Sequence, residues 1–332
     1  MMLKKIGFIG ILAVLIILSF TSCNGKTAST TLPATSSPTE SATTSVSTTS
    51  TITPTVIADQ MGRKVTLSTT APQRIVSLSP STTEILFALG LNDRIAGVTD
   101  YCDYPPEAKL KPSVGDYTAP DMEKLISLNP DLILVTEEQE LDVMPQLLSK
   151  GFTVIGIKPG SVSEVFDSIV IIGNATGKTK EANDMVKDMK ERIQRVTAKT
   201  ANLPASSRPK VFYIIWQDPL WTVGSNTFHD ELISMAGGVN ITHDLSGYVD
   251  ISLETVIKDN PDIIIAGVGM GDGEEAPFTY AQTEPKLADT TARQKGQVYS
   301  VDMDIVSRPG PRLVDALEDL LAIIHPELRD QP

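Results

Sequence analysis

The chain has little cysteine, little histidine and few aromatic residues, and it carries no excess of positive charge. Two cysteines in 332 residues cannot build a disulfide framework. Three histidines, His229, His243 and His325, show no metal-ligand spacing and read as surface or capping residues. With 28 basic against 41 acidic side chains the net charge is −13. That balance argues against nucleic acid or an anionic membrane surface as the main partner. The run "GVGMGDGEE" (267–275) lacks a helix start and a phosphate-binding lysine, so it reads as a solvated acidic loop. No Ser-His-Asp arrangement or glycosidase-like carboxylate pair stands out, and no catalysis is expected. Aromatics make up only 5% of the chain, so where they gather is informative.

The N-terminal segment has the pattern of a leader. Lys4 and Lys5 precede the apolar run "IGFIGILAVLIILSF", and Thr21-Ser22 stand directly before Cys23. This resembles the lipobox of bacterial lipoproteins, in which the cysteine is lipidated and becomes the new N-terminus. The resemblance implies a signal peptide over 1–23 and attachment to the cell membrane through Cys23. Cys102 is then a lone thiol and reads as a small buried filler. Residues 24–55 are nearly all Thr, Ser, Pro and Ala and cannot bury enough apolar surface to offset their ordering entropy. They read as a disordered tether with a reach of roughly 30 Å.

The remainder reads as α/β. "VIADQMGRKVTL" (56–67) alternates about a glycine turn and predicts a hairpin. Short apolar strands are predicted at 74–78, 94–98, 131–135, 153–157, 210–215, 262–266 and 297–301, with helices between them. Ser81 with Glu84, and Ser161 with Glu164, have capping-box spacing. Ala182, Met185, Val186, Met189, Ile193 and Val196 recur at helical spacing, predicting one helix of about 22 residues that spans roughly 33 Å. Asp188–Arg192 and Glu191–Arg195 read as i,i+4 pairs on its polar side. These boundaries imply a lobe over 56–177, an interlobe helix over 178–200 and a second lobe over 201–332.

Two stretches, "DMEKLISLNPDLILV" (121–135) and "SLETVIKDNPDIIIA" (252–266), align without a gap. Asp121 and Ser252 are predicted N-caps, Asn-Pro ends each helix, and Asp131 and Asp262 open each strand. The repeat predicts two similar lobes. In open parallel sheets ligands bind beyond the carboxyl ends of the strands. The segments there carry Tyr101, Tyr104, Tyr117, Trp216, Trp221 and Tyr248. Tyr117 lies six residues before Glu123 and Tyr248 six before Glu254, so each lobe offers one aromatic to the cleft and one carboxylate on the helix beyond it. Such a cleft suits a large, flat, partly apolar ligand. Asp304 and Arg308 could orient it or could form an ion pair at a helix start. Glu123 and Glu254 could serve the helix dipole or grip two basic residues of a symmetric partner.

"PQRIVSLSPSTTEILFALGLNDRIAGVTDYCDYPPEA" followed by "NPDLILV" resembles the periplasmic-binding-protein family that serves ABC importers of iron chelates, haem and cobalamin. The resemblance spans about residues 56–325. It implies two Rossmann-like lobes with parallel sheets, joined by a single long α-helix, with the ligand cleft between them. "DYCDYPP" and the "VGDY…ME" spacing look most like the cobalamin-binding branch. That likeness implies a corrinoid ligand, with Tyr101, Tyr117, Trp221 and Tyr248 lining its site and Asp304 and Arg308 at its polar edge; Trp216, by its place in a cleft segment, and Ser81 are expected to bind the ligand with them. It also implies that Glu123 and Glu254 dock on an ABC permease dimer with its ATPase subunits. Tyrosine stands at 117 and 248 where the enterobacterial branch carries tryptophan. No cofactor, metal site or nucleic-acid partner is implied, and the protein is expected to be a monomer. A ferric-siderophore or haem binder of the same fold, and a chelatase-type enzyme, are the alternatives.

Overall fold

The computed structural model describes residues 55–269 and 275–329, so the leader, Cys23, the tether and most of the 267–275 loop lie outside the described residues. The hairpin forms from Val56–Ala58 and Lys64–Thr66, paired antiparallel. Two four-stranded parallel sheets follow. The first runs Ile95–Val98, Ile75–Ser77, Leu132–Val135 and Val154–Gly156 in spatial order. The second runs Val239–Asn240, Lys210–Ile214, Ile263–Val268 and Val298–Asp302. All seven predicted strands are present. Their central members are buried on both faces, as continuous β-branched runs require.

The doubled motif folds the same way twice. Asp121 accepts from the Glu123 and Lys124 amides, and Ser252 accepts from that of Thr255. Asn129 and Asn260 take left-handed conformations, with φ of 47° and 48°, and turn each chain into its strand. Asp131 then accepts from the amides of Gln73 and Arg74 at 2.7 and 2.9 Å, and Asp262 from that of Lys210 at 2.9 Å. Arg74 and Lys210 in turn donate to the helix-end carbonyls of Leu128 and Asp259. Each aspartate thus ties the start of its own strand to that of the neighbouring strand.

The connecting helix is Thr179–Thr200, 22 residues long. Its buried stripe includes Ala182, Val186, Met189 and Val196. It crosses the helix Val162–Thr176 closely at Gly173, where a Cβ would come within 2.4 Å of the Ala182 methyl. The predicted i,i+4 pairs do not hold. Glu191 pairs with Lys187, while Arg192 bonds Asp315 and Glu318 of the helix Leu313–Ile324 at 2.6 and 2.7 Å. A long-range partner with two carboxylates outcompetes one local carboxylate.

Ser81 and Glu84 also depart from expectation. The first long helix is Pro80–Ala88 with Ser79 as N-cap, because proline fits the first helical position. Ser81 therefore sits inside the first turn, and Glu84 is buried against two arginines. Ser161 does cap its helix, accepting from the Glu164 amide, but the Glu164 carboxylate turns to Gly160 instead of closing the box. Cys102 is a buried thiol that accepts from Thr83, and burial raises its pKa. These features match the expected filler.

Candidate ligand-binding site

On the first lobe, the strand Leu132–Val135 runs into Thr136, whose amide donates to Gln139 Oε1 at 2.7 Å. Gln139 is buried and donates in turn to the Tyr117 carbonyl at 2.7 Å. The Tyr117 hydroxyl lies 3.2 Å from Thr136 Oγ1, which donates to Glu138 Oε2 at 2.8 Å. Tyr117 is thus fixed at its backbone and at its tip. The Ser81 Oγ lies 2.9 Å from that of Ser79, whose hydroxyl favours the ionised Tyr117 phenol slightly. Tyr101, half-exposed, follows the strand Ile95–Val98, and its hydroxyl has no hydrogen bond among the described residues.

On the second lobe, the predicted loops "WQDPLWTVG" and "SGYVD" are strands. Trp216–Gln217, Leu220–Val223 and Tyr248–Asp250 form a three-stranded antiparallel sheet. Trp216 pairs with Trp221, which pairs with Asp250, while Tyr248 pairs with Val223. The alternation of strands places both tryptophans and Tyr248 on one face. Trp216, Trp221 and Tyr248 remain 38%, 39% and 45% exposed. A large apolar face left this open is the mark of a binding surface.

Tyr117 and Tyr248 are both held well above the ordinary phenol range. Burial of the hydroxyl end is the main cause in each case. The Glu138 charge adds to it at Tyr117, and those of Glu137 and Glu138 add to it at Tyr248. One carboxylate of the first lobe therefore acts on a tyrosine of each lobe, and both phenols are neutral at physiological pH.

The Tyr248 hydroxyl is 3.2 Å from Nδ1 of His229, a residue expected to be a surface or capping residue and found only 4% exposed inside a helix. The ring stacks on Phe228 with centroids 4.3 Å apart. A helix position facing the core decides this, since His229 lies in the first turn of Phe228–Met235, beneath the antiparallel sheet. His325 is likewise buried, although it caps a helix as expected; His243 is exposed and bonds Asp230. Burial pushes the His229 pKa down to about 3. The unfolded chain takes up that proton near its ordinary value of about 6.5. Stability is therefore full above that value and falls with pH below it, by about 2 kcal/mol between pH 6.5 and 5. Melting curves at pH 7.5 and 5 should show this loss in the wild type and a smaller one in His229→Phe.

Asp304 and Arg308 are part of an ion-pair cluster. Arg308 reaches Asp103 at 2.6 Å, Asp304 at 2.6 Å and Glu84 at 3.3 Å. Arg312 grips Glu84 with contacts of 2.6 and 2.8 Å and lies 4.0 Å above the Tyr104 ring. Both arginines belong to the second lobe, and Glu84 and Asp103 to the first, so this cluster fastens one lobe to the other. A ligand oxygen reaching Arg308 must compete with three carboxylates. Burial is the main cause that raises the Asp304 pKa. The Val162 amide, donating to Glu231 at 2.8 Å, is a further link between the lobes.

Glu123 and Glu254 are exposed, each in the first turn of its helix. Glu254 has a loose contact with Lys286 at 3.7 Å. A cavity of about 660 Å³ opens beside the ion-pair cluster, lined by Phe87, Tyr104, Leu110, Lys111 and Arg312 among others, with no part from Tyr101, Tyr117, Trp216, Trp221 or Tyr248. Its Arg312 is satisfied by Glu84, which leaves that guanidinium engaged within the protein. Among the described residues no group of three or more His, Cys, Asp or Glu could hold a metal ion.

Comparison with known proteins adds to this geometry. The periplasmic binding protein family matches residues 75–305. An uncharacterised ABC transporter substrate-binding lipoprotein of Bacillus subtilis is 36% identical over 279 residues, covering 82% of this chain and 86% of that protein. The vitamin B12-binding protein of Vibrio cholerae is 30% identical over 254 residues, covering 75% and 87%. The apo structure of a periplasmic haem-binding protein from Roseiflexus superposes with a TM-score of 0.68 at 26% identity, covering 77% of this chain and 99% of that one.

Proposed function

The chain belongs to the periplasmic binding protein family, and from that premise we propose that it is the extracytoplasmic lipoprotein that carries a corrinoid to an ABC importer. The observation that carries the choice of ligand is the pair Tyr117 and Tyr248, one on each lobe, whose hydroxyls are tied to Thr136 and His229. They offer rings instead of anions. A corrinoid is large, flat and partly apolar, and its cobalt is already held by the macrocycle, so neutral stacking surfaces suit it. Its amide side chains find acceptors in Glu137, Glu138 and Asp304. The likeness to a vitamin B12-binding protein supports the same reading. In this reading Trp216, Trp221 and Tyr101 complete the wall, Ser81, Asp304 and Arg308 line the edge, and the lobes divide at the 178–200 helix. The protein acts as a monomer without catalysis, tethered through lipidated Cys23, and hands its cargo to a permease dimer driven by ATPase subunits.

The test is the absorbance and mass spectrum of the molecule that co-purifies, and of the protein after incubation with cyanocobalamin or haemin. Retention of cyanocobalamin is the expected outcome; retention of haemin or a ferric chelate in its place would overturn the ligand assignment. One observation favours that second reading. The Tyr101 hydroxyl is unbonded among the described residues, and tyrosine is an iron ligand. Tyr101→Phe is expected to keep cyanocobalamin affinity within about threefold, because the stacking ring remains. Under the haem reading the same change abolishes the iron–phenolate absorption band.

A further inference from the structure

Behind the exposed ring of Tyr248 runs a row of polar groups that ligand stacking does not require. Tyr248 Oη lies 3.2 Å from His229 Nδ1, His229 Nε2 lies 3.4 Å from Ser307 Oγ, and Ser307 Oγ lies 3.5 Å from Met303 Sδ. Placing the imidazole proton on Nε2 gives every donor in the row an acceptor: Tyr248 donates to His229, His229 to Ser307, and Ser307 to Met303. Both imidazole nitrogens are then satisfied, as burial of a polar ring demands. An ordinary core histidine would have buried partners on both sides. Here one partner belongs to a ring 45% exposed on the face that carries Trp216 and Trp221. The two rings meet edge to face, with centroids 5.7 Å apart and planes at 86°, so the contact fixes direction as well as distance. His229 is itself held by its stack on Phe228.

We infer that His229 is the positioning residue of the second lobe's wall, holding the Tyr248 hydroxyl inward so that the ring face, and not the hydroxyl, meets the ligand. The inference rests on the proposed function only for the identity of the ligand. A free tyrosine must give up side-chain freedom on stacking, and the hydrogen bond to His229 removes that cost beforehand.

A double-mutant cycle tests it. His229→Phe, Tyr248→Phe and the double variant are titrated calorimetrically with cyanocobalamin, and each is melted separately. Loss of one neutral hydrogen bond predicts an affinity about 3–10-fold weaker in either single variant. The double variant should be no weaker than the singles, because both remove the same bond. His229→Asn, which offers an acceptor oxygen, should recover part of the affinity when Tyr248 is present and none when it is Phe. Independent losses that multiply, or a Tyr248→Phe protein that binds like wild type, would overturn the inference. Tyr248→Phe alters a half-exposed residue, so this arm stands even if the His229 variants fold poorly. If the wild type binds no cyanocobalamin, the corrinoid reading fails by itself. The positioning role is then read in the free protein from labelled-tyrosine NMR. A single Tyr248 χ1 rotamer, read from three-bond couplings, in wild type and rotamer averaging in His229→Phe support it, and equal averaging in both overturns it.

Discussion

Glu84→Ala is expected to lower stability by about 3–5 kcal/mol, the usual result of removing one partner from a buried ion pair. The Glu84 side chain is 2% exposed and is the shared acceptor for Arg308 and Arg312. Among the described residues its loss leaves Arg312 with the Asp304 carbonyl and the Tyr104 ring, and Arg308 with Asp103 and Asp304. Arg312 is only 14% exposed, so solvent cannot fully replace the carboxylate. Because the pair joins the two lobes, the damage should not be confined to stability. The lobes should also scatter X-rays as a wider distribution of separations than in wild type. Glu84→Gln keeps the volume and one acceptor oxygen and should cost less than half as much. Thermal and urea unfolding of the two variants checks the order; equal melting of Glu84→Ala and wild type would show that the cluster contributes nothing net.

The second large effect is on delivery. Glu123→Ala combined with Glu254→Ala should leave ligand affinity within about twofold and cut permease-coupled uptake by about a hundredfold or more. The basis is that a charge pair desolvated on docking costs roughly 2 kcal/mol or more when one partner is truncated, and two are lost together. Both carboxylates are exposed and held at equivalent positions of the doubled motif, one per lobe, so a two-fold partner can meet them with one repeated contact. Salt should weaken the wild-type interaction and have less effect on the double variant. Uptake by proteoliposomes containing the permease, alongside calorimetric ligand titration, separates the two functions. Lost ligand binding in the double variant would mean that these acids belong to the cleft.

The repeated element was legible because its signals are local. An N-cap, an Asn-Pro ending, an aspartate and a β-branched run each act within a few residues, and so does the apolar stripe of the 22-residue helix. The Tyr–Glu spacing of each lobe was legible for the same reason. Glu84 was not, because Ser81 and Glu84 carry the spacing of a capping box, and only the distant Arg308 and Arg312 give the carboxylate a better partner. The antiparallel sheet of Trp216, Trp221 and Tyr248 was also missed. Its strands are two to four residues long, too short to show a period, and they are held by pairing with one another.

The sequence by itself determined two α/β halves, the rod between them, the caps Asp121, Ser161 and Ser252, and the aromatic segments, since each follows from the energetics of neighbouring residues. Only the tertiary structure decided that Glu84 fastens the lobes, that Arg192 reaches across to another helix, and that His229 lies beneath Tyr248. Those pairings join residues from 19 to 228 positions apart. Burial strengthens such contacts by removing competing water, and which side chains lose their water is settled when the lobes and helices pack together.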